Sequence, residues 1–241
     1  QVNTNNNQPL PTLEQLMGYH AVLVYSLTAF NGSAALGNLL ADYVDRGRGV
    51  VLCALAFDTS LLQAGMGIDG RIKTGGYLPF TLGNFWYQYR VSMVVDDPAH
   101  PVMAGVRTLD GGASSLHDLP IELAPGAVQL AHWTDEEPLV AVKTLPAGRI
   151  VGLNLFPPSS DARNDFWDTD TDGALLMANA LNWAADPTPA APTVSIQPAS
   201  RGAVPGQDIS FQVTARGTWP FHYQWWHDGT PVPGATNVCL P

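Results

Sequence analysis

The chain has 241 residues, a formal net charge of −10 and a sequence pI of about 4.7. Hydrophobic residues make up 46% of it and charged residues only 13%, which is typical of a globular protein and not of a disordered one. Eleven basic residues, of which two are lysines, argue against nucleic acid and anionic membrane as partners. No apolar run reaches the roughly 18–20 residues that a membrane-spanning helix requires.

The first elements are a short helix and a strand–helix–strand unit. A helix is predicted over 12–17. Residues 21–26 and 49–56 are continuous apolar runs that are typical of buried strands. Between them an amphipathic helix is predicted to begin after Ser33 as its N-cap and to end before Gly47. Two buried strands joined by a helix form a βαβ unit, which places the strands in a parallel sheet.

The middle of the chain is less regular until residue 128. Residues 57–90 are rich in glycine and aromatic residues, and a connection that long is often functional. Four strands are predicted beyond it, the last three as a meander with tight turns, over 91–95, 128–133, 139–144 and 149–156. A helix over 171–185 follows, with Asp172 as its N-cap.

A proline-rich linker at 186–192 divides the chain into two predicted domains. Residues 1–185 are predicted to form an α/β domain, an open and mostly parallel sheet with helices on both faces. Residues 193–241 change to short alternating strands with Pro- and Gly-rich turns, which is the pattern of an all-β sandwich. Since such a sandwich needs ~100 residues, we expect this second domain to be incomplete.

The C-terminal segment resembles a bacterial immunoglobulin-like domain of the repeat type found on secreted proteins. The residues that carry the resemblance are 197–198 (QP), 211–215 (FQVTA), 223–225 (YQW), 228–229 (DG) and 234–236 (GAT). The resemblance covers roughly the first half of such a domain and matches Trp225 to the buried tryptophan on its third strand.

Residues 12–185 resemble the flavodoxin-like domain of class I glutamine amidotransferase-like and trehalose-utilisation (ThuA-like) proteins. The segments that carry this resemblance are 20–26 (HAVLVYS), 39–44 (LLADYV), 47–51 (GRGVV), 100–102 (HPV) and 148–152 (GRIVG). Such domains begin with a further strand and helix, so the resemblance implies that these two elements are missing ahead of Thr12.

The amidotransferase relatives use a cysteine on a strained strand-to-helix elbow, together with a histidine and a carboxylate. Cys53 lies within VVLCALAF with no glycine nearby, which predicts a buried strand residue with an inert thiol. No histidine lies directly after the strand over 149–156, where the resemblance implies the catalytic partner, and the nearest alternatives are His100 and His117. We therefore predict no catalytic residue and no cofactor, and we interpret Cys53 and Cys239 as two separate thiols.

A ligand of an open α/β sheet binds outside the carboxyl ends of the strands. The polar residues expected at those ends, and hence the candidate ligand-binding residues, are Ser26, Asp58, Thr59, Asn154 and Ser159. The aromatic residues within 77–89 either form a stacking platform for sugar rings or a small core over the sheet, and we favour the core.

Asp168, Asp170 and Asp172 begin a D-x-D-x-D-G pattern, whose alternating carboxylates suit calcium. The twelfth position is Asn179 and not the bidentate glutamate of a calcium loop, so we favour a helix N-cap in an acidic loop and keep the metal site as the weaker alternative.

These features favour a non-catalytic or degenerate amidotransferase-like module that acts in binding or as a scaffold within a secreted, multi-domain bacterial protein. The expected location is extracellular or at the cell surface, and the expected partner is carbohydrate or another extracellular protein. Two alternatives stay open. One is a carbohydrate-active enzyme or sugar-binding domain that uses the crevice at the strand ends, and the other is a calcium-stabilised adhesin.

Overall fold

The computed structural model describes residues 9–26, 30–57, 67–81, 83, 85–158, 165–185, 191–204, 206–216 and 222–240. Up to residue 185 its elements are, in chain order, α1 (Leu13–Met17), β1 (Ala21–Val24), α2 (Ser33–Asp45), β2 (Gly49–Cys53), α3 (Arg71–Thr74), β3 (Phe85–Gln88), β4 (Met93–Val95), a 3₁₀ turn (Pro101–Met103), β5 (Leu116–Leu119), β6 (Val128–Trp133), β7 (Pro138–Thr144), β8 (Arg149–Leu153) and α4 (Gly173–Ala185). Within the described ranges, no helix has the length and apolar character that a membrane crossing requires.

A six-stranded mixed sheet in the order β1-β2-β8-β7-β6-β4 forms the centre. Strands β1, β2 and β8 are parallel neighbours, and β7, β6 and β4 extend the sheet by antiparallel pairing. Four strands therefore run in one direction and two in the other. The α/β class is confirmed, and the predicted meander is β6-β7-β8.

Local sequence signals explain the strand–helix–strand unit at one side of this sheet. Gly47, at φ +81°, takes the left-handed position just past the end of α2, as predicted. The predicted N-cap Ser33 is instead the first residue of α2, because Gly32 occupies the cap position in a left-handed conformation. Helix α1 begins with a capping box in which Thr12 and Gln15 bond each other's backbone N–H groups.

Helices cover both faces of the sheet, and β2 contributes its side chains alternately to the two cores between the sheet and these helices. Val50 and Leu52 belong to the core under α1 and α2, whereas Val51 and Cys53 belong to the core under α4. All four side chains are fully buried. Burial of a valine or leucine of this kind stabilises the fold by about 1.5–3 kcal/mol.

The long aromatic-rich connection contains structure that the sequence did not predict. Strand β3 pairs with β5 in an antiparallel ribbon, with Phe85 opposite Leu119 and Gln88 opposite Leu116. The bridge between Phe80 and Leu123 extends this region towards the sheet.

Beyond residue 190 the described residues form three two-stranded antiparallel sheets, and the predicted immunoglobulin-like sandwich is not confirmed. Their strands are β9 (Thr193–Ile196), β10 (Phe211–Gln212), β11 (Thr214–Arg216), β12 (Trp226–His227), β13 (Thr230–Pro231) and β14 (Cys239–Leu240). Trp225, expected to be buried, is only half-buried and lies just before β12, and its indole N–H donates to the Asn237 carbonyl at 2.9 Å. Residues 186–190 of the predicted linker lie outside the described residues.

Candidate functional site

The carboxyl ends of β1, β2 and β8 meet at one edge of the sheet, where the sequence predicts a ligand. Of the predicted ligand-binding residues, the structure describes Ser26 after β1 and Asn154 after β8, which are 3% and 0% exposed. Asp58, Thr59 and Ser159 lie outside the described residues. The two described candidates are thus inside the protein and not on an open crevice wall.

The side chain of Asn154 is occupied by backbone groups of two other strands. Its Oδ1 accepts the Asp118 N–H at 2.7 Å, and its Nδ2 donates to the Asp118 and Pro138 carbonyls at 2.9 and 3.0 Å. The backbone carbonyl of Asn154 also accepts the indole N–H of Trp133 at 2.8 Å. These bonds use both Nδ2 donors and one acceptor position of Oδ1, which supports a structural role for Asn154, and its ligand-binding role stays a prediction.

Asp118 links this network to the end of β2. Its buried carboxylate Oδ2 accepts the Leu55 N–H at 3.2 Å. Leu55 has φ +66°, a left-handed conformation that is unfavourable for a leucine by about 1–3 kcal/mol. The preceding Ala54 N–H lies 3.1 and 3.0 Å from the Leu153 and Leu155 carbonyls, so the turn is fixed from two sides.

Cys53 is the last residue of β2 and lies just before this strained turn. Its thiol is completely buried in the hydrophobic core, and this burial raises its pKa well above the usual range. A raised pKa keeps the sulfur protonated and unreactive. The left-handed residue is Leu55, whose side chain has no nucleophilic atom.

Beside this network, the buried His117 of β5 pairs with the half-buried Asp135 in the turn after β6. His117 Nε2 is 2.9 Å from Asp135 Oδ2, and the Tyr89 hydroxyl donates to the same oxygen. The His117 ring is fully buried, with Tyr89 edge-on at 5.3 Å and Trp133 at 6.0 Å between ring centroids. Such a pair has the chemistry of a general base, but the imidazole is fully buried, and its Nδ1 has no hydrogen-bond partner among the described residues.

Sequence reasoning missed the pairing of His117 with Asp135. The sequence indicates His117 only as an alternative partner for Cys53, and the segment LHDL around it gives no spacing signal toward a carboxylate beyond β6. The pair forms because His117 on β5 contacts Asp135 in the turn between β6 and β7, a contact that is visible only in three dimensions.

The acidic segment before α4 does not assemble a metal site. The Asp172 carboxylate accepts the N–H groups of Thr108 and Arg107, both at 2.8 Å, and these bonds hold its pKa below the usual range. Asp168 Oδ1 accepts the Asp170 N–H at 3.0 Å, which is a local turn. Among the described residues, no group of three or more ligating side chains converges, so the structure does not support the calcium alternative.

Asp172 does precede α4 as predicted, and its backbone carbonyl accepts the Leu176 N–H. Its side chain, however, ties the loop at 107–108 to the helix instead of capping the first turn.

The aromatic side chains that the structure describes belong to the core and not to an exposed platform. Phe80 is 1% exposed and packs edge-on against Phe57 at 5.2 Å between ring centroids. Tyr77 is buried, and its hydroxyl bonds the Asp45 carboxylate. These contacts favour the small-core interpretation of this region over sugar stacking.

No family model and no curated protein matches the sequence. Solved structures resemble the fold. A cytoplasmic protein from Salmonella typhimurium aligns over 74% of this chain and 77% of its own length, with 12% identity and a TM-score of 0.55. A second cytoplasmic protein, from Salmonella typhimurium LT2, aligns over 73% and 76%, with 16% identity and a TM-score of 0.53. A protein described as ThuA-like, from Parabacteroides merdae, aligns over 70% and 71%, with 19% identity and a TM-score of 0.48.

The first two comparisons establish an α/β fold shared with the Salmonella proteins, and identities this low say nothing about activity. They also show that the predicted extracellular or cell-surface location was wrong, since both of these proteins are named cytoplasmic. That prediction rested on acidic composition, scarce lysine and a partial sandwich pattern. None of these features is a targeting signal, so neither location nor secretion can be read from them.

The two cysteines allow a test of whether Cys53, at the end of β2, is inaccessible to solvent. We expect iodoacetamide to label Cys239, which is exposed, at least about 100-fold faster than Cys53 in the native protein. Peptide mass spectrometry after timed labelling measures the two rates separately. Cys239→Ser is the matched control and should remove the fast reaction while leaving the slow one, which urea should then accelerate. Fast labelling of Cys53 in native Cys239→Ser protein would contradict the buried position.

Proposed function

We propose that this chain is a non-catalytic binding or scaffold module built on an amidotransferase-like α/β fold. The observation that carries the proposal is a buried hydrogen-bond network at the carboxyl edge of the sheet, in which Asp118 bonds both Leu55 and Asn154. In an open α/β sheet this edge is where ligands are bound and converted. Here the side chains of Asp118 and Asn154 bond backbone groups and so hold β2, β5 and β8 together.

The buried thiol supports the same proposal. A nucleophilic cysteine needs exposure and a partner that favours the thiolate. Cys53 has an apolar environment that favours the protonated form, and Asp118 and His117 bond Leu55 and Asp135 instead of sulfur. A protein with this edge retains the fold of an enzyme class while its interior groups serve stability.

The proposal extends to the organisation of the chain, with residues 193–241 as a separate β module after the α/β domain of residues 1–185. The short hairpins support this division, because most of their described side chains are exposed and contribute little to the cores around the sheet.

Activity assays test the proposed function directly. We expect purified protein to hydrolyse neither L-glutamine nor p-nitrophenyl acetate above the rate of buffer, measured by ammonia release and by absorbance. Hydrolysis that Cys53→Ala abolishes and Cys239→Ala preserves would overturn the proposal. Circular dichroism of both variants ensures that lost activity is not lost folding.

A further inference from the structure

A cavity of about 440 Å³ lies on the opposite side of the fold from α4, between the loop before β3 and the end of β7. Its volume falls within the range of small-molecule sites. The walls are largely apolar, formed by Leu78, Phe80, Ala124 and Pro125. At Gly76, with φ +75°, no atom lies within 4 Å of where a Cβ would stand, which leaves the cavity open on that side.

Both lysines of the chain, Lys73 and Lys143, line this cavity. None of the described residues that line it is acidic. In a chain of net charge −10, this is a local reversal of sign. Lys73 is partly neutralised, since its Nζ lies 3.6 Å from Asp69 Oδ1 and its side chain is 30% exposed.

Lys143 is the unusual member. It is 9% exposed, and its Nζ donates to the Leu78 carbonyl at 3.4 Å, which is long for a charged donor. Among the described residues no carboxylate forms an ion pair with it. Burial lowers its pKa, because the charged form loses hydration that nothing nearby replaces. Of the three donors of this ammonium, one makes the long bond to Leu78, and no other protein acceptor is found for it among the described residues, so the remaining donors can bind an acceptor in the cavity.

We propose that this cavity binds a small organic monocarboxylate, with the carboxylate on Lys143 and the apolar body against Leu78, Phe80 and Pro125. The ligand would supply a counter-charge to Lys143, whose side chain is largely buried, and an ion pair at a partly buried group is stronger than one between two fully exposed groups. The apolar walls favour a carbon chain or ring over a small inorganic anion. The inference rests on the proposed role as a binding module and gives that module a ligand class.

Hexanoate, as the probe, tests the proposal by calorimetric titration. Lys143→Met keeps the length of the side chain and removes its charge, and we expect it to weaken hexanoate binding at least about tenfold. Lys73→Met should weaken binding only two- to fivefold, because Asp69 already pairs with that lysine. Arg107→Met removes an exposed cation outside the cavity and should leave binding unchanged.

Two further arms fix the ligand class. Hexanamide, which has the same chain without the charge, should bind at least about tenfold more weakly than hexanoate. Inorganic phosphate should not compete with hexanoate, and competition at equal concentration would overturn the assignment to a carboxylate with an apolar body. Ala124→Phe fills the cavity without touching the charge and should abolish binding. It provides the test if Lys143→Met fails to fold.

Failure of this inference is distinguishable from failure of the proposed function. Absence of hexanoate binding, or binding that Lys143→Met and Ala124→Phe leave intact, overturns the cavity proposal and leaves the scaffold role standing. Cysteine-dependent hydrolysis with hexanoate binding intact overturns the proposed function alone.

Discussion

Replacing Asn154 by alanine is expected to lower the free energy of unfolding by about 3–5 kcal/mol. The substitution leaves the Asp118 N–H and the Asp118 and Pro138 carbonyls without their amide partner in the interior. Each buried polar group that loses its partner costs about 1–3 kcal/mol. The small cavity left behind adds to the loss. Urea denaturation followed by tryptophan fluorescence measures the change.

Asn154→Asp separates lost hydrogen bonds from lost volume. It has nearly the same shape, but an oxygen replaces the nitrogen that donates to two carbonyls, so we expect a loss comparable to that of Asn154→Ala. Asn38→Ala is the matched control. Asn38 is exposed, and its Oδ1 accepts the Arg71 N–H at 2.7 Å, so the expected loss is at most about 1 kcal/mol. Equal stabilities of Asn154→Ala and Asn38→Ala proteins would contradict the network.

This network has a consequence for the strained turn after β2. Asp118 on β5 is held by Asn154, just after β8, and in turn accepts the Leu55 N–H, so the left-handed Leu55 depends on bonds made outside its own strand. Strain of this kind persists only where surrounding structure overdetermines it. Loss of Asn154 therefore relaxes the end of β2 as well, and Cys53 should become accessible to iodoacetamide in Asn154→Ala protein.

The parts of the fold that the sequence predicts are those whose causes lie within a few residues. The helix that begins after Thr12, the left-handed Gly47 and the apolar runs of β1 and β2 each depend on local backbone geometry or on the period of burial. The meander β6-β7-β8 is equally local, because tight turns join consecutive strands.

The candidate site could not be predicted in the same way, because its partners are distant in the chain. Asn154 was assigned to a ligand from its place after a strand, yet its partner Asp118 comes from β5, whose pairing with β3 has no local signal. A buried amide that bonds backbone and an exposed one that binds a ligand have identical sequence patterns. Only the contact of Asn154 with Asp118 on β5, which the structure shows, distinguishes the buried amide from a ligand-binding one.

Gly37→Ala is expected to destabilise the protein by about 2–4 kcal/mol, although alanine is the better helix former. Gly37 lies within α2, where propensity alone predicts a gain of about 1 kcal/mol. A Cβ at this position would lie 1.7 Å from the Asp69 carbonyl oxygen and 2.9 Å from Ile72 Cγ2. Backbone atoms cannot move aside without shifting α3, so the contact between the two helices must open.

Helix propensity alone predicts that Gly37→Ala raises the free energy of unfolding, whereas the clash with Asp69 predicts that it lowers it. Control variants in α2 and at the cavity separate the two effects. Ala35→Gly, at an exposed position of α2, should cost about 1 kcal/mol through propensity alone. Gly76→Ala meets no atom within 4 Å and should cost only the strain of its positive φ, about 1 kcal/mol. A stabilised Gly37→Ala protein would disprove the close approach of α2 to Asp69. Since α3 carries Lys73, the opening that Gly37→Ala forces should also weaken hexanoate binding, whereas Ala35→Gly should leave it unchanged.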